Sequence, residues 1–280
     1  MEKKKRLLYI LGDQRSGTTA LEYILSTNPQ LHACGELMLL EGFIANEPQY
    51  KISKGRCTCG VVFSECSFWR PVLSEVSEEL DVDVLGIRTN LKKRGADDEL
   101  KQHIRCLYGK AYDQAGGALL DSSKDLDYLV LLHEVLHDWQ IDVVRISRDP
   151  YQVVSSVMKW REQFGQRKIT PFLFLWQWVK KNRLSKYWGE RQSPDSYMEV
   201  SYENFVNRSD QTVTRILRYF KYAPDYSKKL NLRELHTVAG TPTRFDKDEF
   251  ELSKKPMLNK PVKMPFGFDF LARICGKRYM

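Results

Sequence analysis

Leu7-Leu8-Tyr9-Ile10-Leu11 runs into Gly12-Asp13-Gln14-Arg15-Ser16-Gly17-Thr18-Thr19, and that into Ala20-Leu21-Glu22-Tyr23-Ile24-Leu25. An unbroken apolar run of this kind reads as a strand buried on both faces of a parallel sheet. The two glycines frame a tight loop, and the segment after them has helical spacing. Such a unit aims backbone N–H groups and the positive end of a helix at one point, where an anion is best accommodated. The loop is therefore expected to cradle a phosphate, with Gly12, Arg15, Ser16, Gly17, Thr18 and Thr19 as its contacts. Gly12 and Gly17 are spaced as in the nucleoside-triphosphate loop G-x-x-x-x-G-K-[ST], and Thr19 falls on the hydroxyl position. Thr18 stands where the lysine belongs, and the nearest cation is Arg15, inside the loop.

The chain has 280 residues, 42% of them hydrophobic, enough for one large α/β domain spanning 1–280. No linker, repeat, low-complexity run or apolar stretch long enough to cross a bilayer divides it. A soluble, cytoplasmic protein is expected. Lys and Arg number 44 against 36 Asp and Glu, a formal charge of +8 that favours an anionic ligand. Nucleic acid is not the expected partner, because no basic stripe interleaved with aromatics and no recognition-helix motif is present.

A second unit repeats the strand, loop and helix logic. Ile141-Asp142-Val143-Val144-Arg145-Ile146 reads as a strand, Ser147-Arg148-Asp149-Pro150 as a turn with Asp149 as N-cap and Pro150 at the first helical position, and Tyr151 to Arg161 as a helix. Arg148 leaves the strand end and Ser156 lies on the helix that follows. A guanidinium binds two phosphate oxygens through parallel hydrogen bonds, and a hydroxyl can take a third.

Together, the Arg15-Ser16-Gly17-Thr18-Thr19 loop and the Arg148/Ser156 pair resemble the sulfotransferases that use 3′-phosphoadenosine 5′-phosphosulfate (PAPS). The resemblance implies a doubly wound, mainly parallel α/β sheet with the ligand at the carboxyl ends of the strands. It implies that the first loop holds the 5′-phosphosulfate and that Arg148 and Ser156 hold the 3′-phosphate. Gly35-Glu36, after the short strand Leu31 to Cys34, resembles the family's Gly-Glu segment, which makes Glu36 the expected base on the acceptor hydroxyl; Leu37 stands where the tyrosylprotein branch carries a second glutamate. Asp121-Ser122-Ser123-Lys124, ending the buried run from Gly117, resembles the segment whose lysine approaches the phosphosulfate, so Lys124 would supply the charge missing from the first loop. His236-Thr237-Val238-Ala239-Gly240-Thr241-Pro242-Thr243-Arg244 resembles the C-terminal loop in which Gly240 and Arg244 close over the nucleotide, with Thr241 in place of the usual Asn.

The catalytic set implied is Glu36, Lys124 and Arg15, transferring sulfonate from PAPS to a hydroxyl, less readily an amine, of a small-molecule, lipid or glycan acceptor without a metal. Residues 37–110 have no usable match and are expected to shape the acceptor site. Within them lie an apolar helix near Met38 to Phe43, an acidic helix near Ser74 to Leu80 and a basic turn at Lys92-Lys93-Arg94-Gly95. Cys57, Cys59 and Cys66 offer three metal ligands with no fourth evident nearby, and read as packed free thiols in a surface loop. Their Cys-x-Cys-Gly and Cys-x-Phe-Trp pattern also resembles a segment of soluble sulfotransferases. His133 and His137 read as ordinary helix residues, the aromatic run from Pro171 to Glu190 as core, and Lys254 to Met264 as an irregular tail. Two other functions fit parts of this sequence. A P-loop kinase or NTPase would use Asp121 for Mg²⁺, and a non-catalytic binder of anionic nucleotides or sulfated glycans would need neither Glu36 nor Lys124.

Overall fold

Five parallel strands carry the molecule: β1 (Arg6–Gly12), β2 (Leu31–Gly35), β3 (Ala118–Lys124), β4 (Gln140–Ser147) and β5 (Tyr197–Ser201), arranged β2-β3-β1-β4-β5. The computed structural model describes residues 4–48, 55–163, 165, 170–240, 242–252 and 264–280. β1 is central, and its run from Leu7 to Leu11 is at most 1% exposed. Alternate residues serve opposite layers: Leu7, Tyr9 and Leu11 belong to one core, Leu8 and Ile10 to the other. Helices therefore cover both faces, as expected of a doubly wound α/β sheet.

The strand order decides where a ligand can sit. From β1 the chain passes through the Thr18–Leu25 helix to β2 at one edge, and from β4 it proceeds to β5 at the other. The direction of winding thus reverses between β1 and β4, which opens a crevice at their carboxyl ends. Gly12–Gly17 leaves β1 there and Arg148–Asp149 leaves β4 there.

Residues 37–115 contribute more core than the sequence suggested. A short 3-10 turn at Leu37–Leu39 leads into a helix at Leu40–Ile44, the acidic helix begins earlier, at Trp69, and ends at Leu80, and the basic turn is a helical turn at Leu91–Arg94. The unforeseen element is a helix at Asp98–Ala115, capped by the Asp97 side chain, which accepts from Leu100 N–H at 2.8 Å. Its buried Leu100, Ile104, Leu107, Tyr108 and Ala111 follow helical spacing and join the core over β1 and β3. The cysteine loop lies at the surface, with Val61, Val62, Ser64 and Glu65 exposed, but its thiols are packed inward: Cys57 and Cys66 have no exposed surface.

The Pro171–Gly189 helix buries Phe174 and Trp178, while Phe172 and Trp176 stay exposed. An unforeseen C-terminal helix, Phe268–Tyr279, packs on it and on the Pro150–Gln163 helix. Two short antiparallel strands, β6 (Lys229–Asn231) and β7 (Glu249–Glu251), follow β5. Most of the tail expected at Lys254 to Met264 lies outside the described residues.

Arg145 of β4 ties these layers together. Fully buried, it donates to Glu199 Oε1 of β5 at 2.7 Å, to Asn182 Oδ1 at 2.9 Å and to the Tyr279 carbonyl at 2.9 Å. Removing one partner of such a buried cluster costs about 3–5 kcal/mol, and the partial exposure of Glu199 puts this site at the low end. Arg145→Ala is thus expected to lower the unfolding free energy by about 3 kcal/mol, read as a reduced urea midpoint with an unchanged slope.

Candidate active site

The first loop is built around backbone that only a few residues tolerate. Gly17 caps the Thr18–Leu25 helix at φ 93°, and a Cβ there would lie 2.3 Å from the Tyr202 ring. Glycine is thus demanded twice, by the positive φ and by the close approach of Tyr202. Arg15 also adopts a left-handed conformation, at φ 65°, while Ser16 and Thr18 are buried. Asp13, itself buried, accepts from Gln14 N–H at 2.8 Å and from Lys181 Nζ at 3.2 Å.

The second loop meets the first across the switch point. Arg148 Nη1 donates to the Arg15 carbonyl at 3.0 Å, and Arg15 Nε donates to Ser156 Oγ at 3.0 Å. Tyr202 joins them from the start of the Tyr202–Asn207 helix, its ring centre 4.2 Å from the Arg148 guanidinium. Asp149 caps its helix as expected, accepting from Gln152 N–H at 3.0 Å. Burial and then the neighbouring Arg148 charge lower the pKa of Arg15, and burial lowers that of Arg148. Two cations drawn together away from water form an arrangement that an anion relieves.

A third group assembles at the ends of β2 and β3. Lys124, at φ 68°, turns its side chain so that Nζ lies 2.6 Å from Glu36 Oε1. Both side chains are 17% exposed, open to a ligand but largely shielded from solvent. The C-terminal loop backs them: Glu36 N–H donates to the Val238 carbonyl at 2.9 Å, and Val238 N–H to the Cys34 carbonyl at 2.8 Å. Gly35 permits this, since at φ 78° a Cβ would stand 2.0 Å from Val238 O. Beneath lies Glu22, fully buried, accepting from Gly35 N–H at 2.8 Å and bonded to Ser122 Oγ at 2.7 Å. Burial pushes its pKa up to about 8.

Gly240 brings the C-terminal loop over the first helix: a Cβ on it would be 3.8 Å from Thr19 Cγ2 and Tyr23 Oη, and 3.6 Å from Arg244 Nη1. Arg244 is 2% exposed and donates through Nη2 to the Arg56 carbonyl at 3.3 Å. Its Nε and Nη1, and the Tyr23 hydroxyl, have no hydrogen-bond partner among the described residues. Buried donors in this state fit an anionic ligand with several acceptor oxygens. The predicted residues thus form one cluster of Arg15, Arg148 and Ser156, a second of Glu36 and Lys124, and a third of Arg244 and Gly240 beside Tyr23. Thr241 lies outside the described residues.

Asp121 does not serve the crevice. It is fully buried, bonded to the Tyr108 hydroxyl and to Ser123 N–H at 2.6 Å, and burial pushes its pKa up to about 6. The Mg²⁺ role that an NTPase would give it finds no support in this position. Sequence reasoning missed Glu22, Tyr23, Lys181 and the double contact of Tyr202. It also missed His236, whose imidazole Nδ1 lies 3.2 Å from Cys66 Sγ and completes a four-residue group with Cys57 and Cys59. No fourth candidate ligand lies nearby in sequence, as expected; His236 comes from a distant segment, beside the Gly35–Val238 bridge. His133 and His137 belong to no such group among the described residues.

A family model described as the sulfotransferase family matches residues 8–225. Among solved structures, the sulfotransferase domain from the Synechococcus PCC 7002 olefin synthase is similar at a TM-score of 0.58 and 20% identity, over 98% of this chain and 96% of that one. The sulfotransferase domain from the curacin biosynthetic pathway is similar at 0.55 and 17% identity, over 100% and 99%. At these identities the likeness shows the fold. No curated protein matches the sequence.

Glu22 has a measurable consequence. With a folded pKa raised to about 8, it holds a proton in the folded chain that an unfolded carboxyl releases near pH 4.3. Its contribution therefore falls as pH rises between those values, by at most about 1.4 kcal/mol per pH unit. Glu22→Gln keeps an acceptor for Gly35 N–H and a donor for Ser122. That variant is expected to gain stability relative to the parent between pH 6 and pH 8, measured by thermal unfolding at each pH, whereas Glu22→Ala loses stability throughout.

Proposed function

Because the chain belongs to the sulfotransferase family, we propose that it moves a sulfonate group from PAPS to an acceptor hydroxyl, with the donor lying across the carboxyl ends of β1 and β4. The observation that carries this reading is the direct coupling of the two anion loops, Arg148 to the Arg15 carbonyl and Arg15 to Ser156, beside the Lys124–Glu36 pair. The residues fit such a donor: Arg244 Nε and Nη1 and the Tyr23 hydroxyl are buried without hydrogen-bond partners among the described residues.

Bound PAPS supplies a sulfonate whose sulfur–oxygen bond to the 5′-phosphate breaks as the acceptor oxygen bonds to sulfur, with the electron pair passing to the phosphate oxygen. Ser16, Gly17, Thr18 and Thr19 bind the 5′ side, and Gly12 lets the strand turn into that loop. Arg148 and Ser156 bind the 3′-phosphate, and Arg244 with Gly240 covers the nucleotide. Glu36 accepts the proton of the acceptor hydroxyl. Lys124, one hydrogen bond away, and Arg15 oppose the charge that grows on the leaving oxygen. These cations carry the electrostatic work, and the proposed transfer proceeds without a metal ion at the reacting atoms. The acceptor, a small molecule, lipid or glycan, would enter beside Glu36 from the 37–110 side. No helix among the described residues is long and apolar enough to cross a membrane, and a cytoplasmic location is part of the same proposal.

The donor half can be tested without knowing the acceptor. A 3′-phosphorylated nucleotide at a hundredfold excess over its dissociation constant adds about 2.7 kcal/mol to native stability. 3′-Phosphoadenosine 5′-phosphate is expected to raise the thermal midpoint by several degrees, ADP with Mg²⁺ to leave it unchanged, and Arg148→Ala to abolish the shift. A shift with ADP and Mg²⁺ alone would overturn the reading in favour of an NTPase. For the chemical step, Glu36→Gln is expected to lower turnover by about 10²–10⁴-fold while keeping the nucleotide-induced shift. Unchanged turnover would remove Glu36 from its role as base.

A further inference from the structure

Outside the crevice, three thiols and an imidazole converge on one point. Cys57, Cys59, Cys66 and His236 place their ligand atoms within 4.8 Å of one another. Cys66 Sγ lies 3.6 Å from Cys57 Sγ, 3.8 Å from Cys59 Sγ and 3.2 Å from His236 Nδ1. Tetrahedral zinc with Zn–S bonds of about 2.3 Å sets sulfur atoms about 3.8 Å apart, and a Zn–N bond of about 2.0–2.1 Å sets nitrogen about 3.5 Å from sulfur. The three distances from Cys66 Sγ are close to the edges of such a tetrahedron, and the remaining pairs fall within 4.8 Å. A disulfide would use two of the three sulfurs and leave the third, with the imidazole, to be explained separately.

The surroundings are organised as a ligand shell requires. Cys57 and Cys59 flank a turn closed by Gly60 N–H to the Cys57 carbonyl at 2.9 Å, with Gly60 at φ 101°, so that both sulfurs approach the same side. Cys66 stands just before the Trp69–Leu80 helix, and Trp69 N–H points at its sulfur at 3.5 Å, a donor suited to a thiolate. His236 is held from outside the cluster: Trp69 Nε1 donates to its carbonyl at 2.5 Å, and Phe68 stacks against its ring at 5.8 Å. Such outer contacts orient metal ligands.

We propose that Cys57, Cys59, Cys66 and His236 bind a structural Zn²⁺ ion. Three thiolates and one imidazole form a closed Cys3His set, soft enough to select zinc over calcium or magnesium, with no position left for a substrate. The ion cross-links residues 57–66 to a segment about 170 positions downstream. Thr58 N–H to the Thr237 carbonyl at 3.3 Å and the 2.6 Å contact of their hydroxyls continue the join, and two residues beyond His236 the chain reaches Val238, which backs Gly35 and Glu36. Zinc would therefore fix the wall behind the proposed base through the backbone from His236 to Val238.

The test uses the full chain, purified under reducing conditions without chelator, with metal counted by mass spectrometry and then replaced by Co²⁺. One zinc per chain is expected, and the cobalt form should show the intense visible bands of a tetrahedral thiolate site. Stripping the metal should lower the thermal midpoint by several degrees, with recovery on adding Zn²⁺ alone. His236→Cys keeps four donors and should retain the metal with a stronger sulfur-to-cobalt band, and Cys275→Ser, outside the cluster, should retain it unchanged. Cys66→Ser and His236→Ala should lose it. A reduced parent chain that takes up neither Zn²⁺ nor Co²⁺ overturns the proposal even if a variant fails to fold, as does full metal retention by both loss variants. None of these readouts depends on sulfonate transfer.

Discussion

Arg148 reaching the backbone of Arg15, and Arg15 reaching Ser156, is the interaction on which the arrangement of this molecule turns. It joins the ends of β1 and β4, the pair of strands between which the sheet reverses its winding, and does so with two guanidinium groups largely withdrawn from water. Withdrawal from water disfavours charge held this way, and the carboxylates of Glu203 and Asp149 offset part of that cost for Arg148. Tyr202 stacks on one guanidinium and fills the space above Gly17, so one ring fixes both loops. This is the arrangement that the proposed anionic donor would meet.

The opposite wall is fixed by different means. Gly35 has no side chain, and the Val238 backbone occupies the vacated space, adding a bridge beside β2 and carrying His236 to the cysteines and Gly240 to the first helix. Glu22, buried under the turn, satisfies Gly35 N–H and Ser122 at once and holds the ends of β2 and β3 in the relation that lets Lys124 meet Glu36. The Lys124–Glu36 pair thus depends on a buried chain of contacts that runs from Ser122 through Glu22 and Gly35 to Val238.

The strand, loop and helix at Leu7–Leu25, the turn at Arg148–Pro150 and the short strand before Glu36 were legible from residue order, because each is a local pattern: a continuous apolar run, a glycine pair, an N-cap followed by proline. The Asp98–Ala115 helix was equally local in its spacing, but its polar residues and its place in a stretch without motifs concealed it. The depth of the cysteines could not be read locally at all, since it depends on the Trp69–Leu80 helix and the distant His236–Thr237 segment packing against them.

By itself, the sequence determined the α/β class, the two strand–loop–helix units and the residue types within them, since backbone conformation and capping act over a few residues. The tertiary structure alone decided which of those residues meet. It joined Arg15 to Ser156, committed Asp121 to Tyr108 rather than to the crevice, buried Glu22 behind Gly35, and supplied His236 to three cysteines far earlier in the chain. Each of these depends on the packing of segments many residues apart, and no periodicity or spacing within a short window records that.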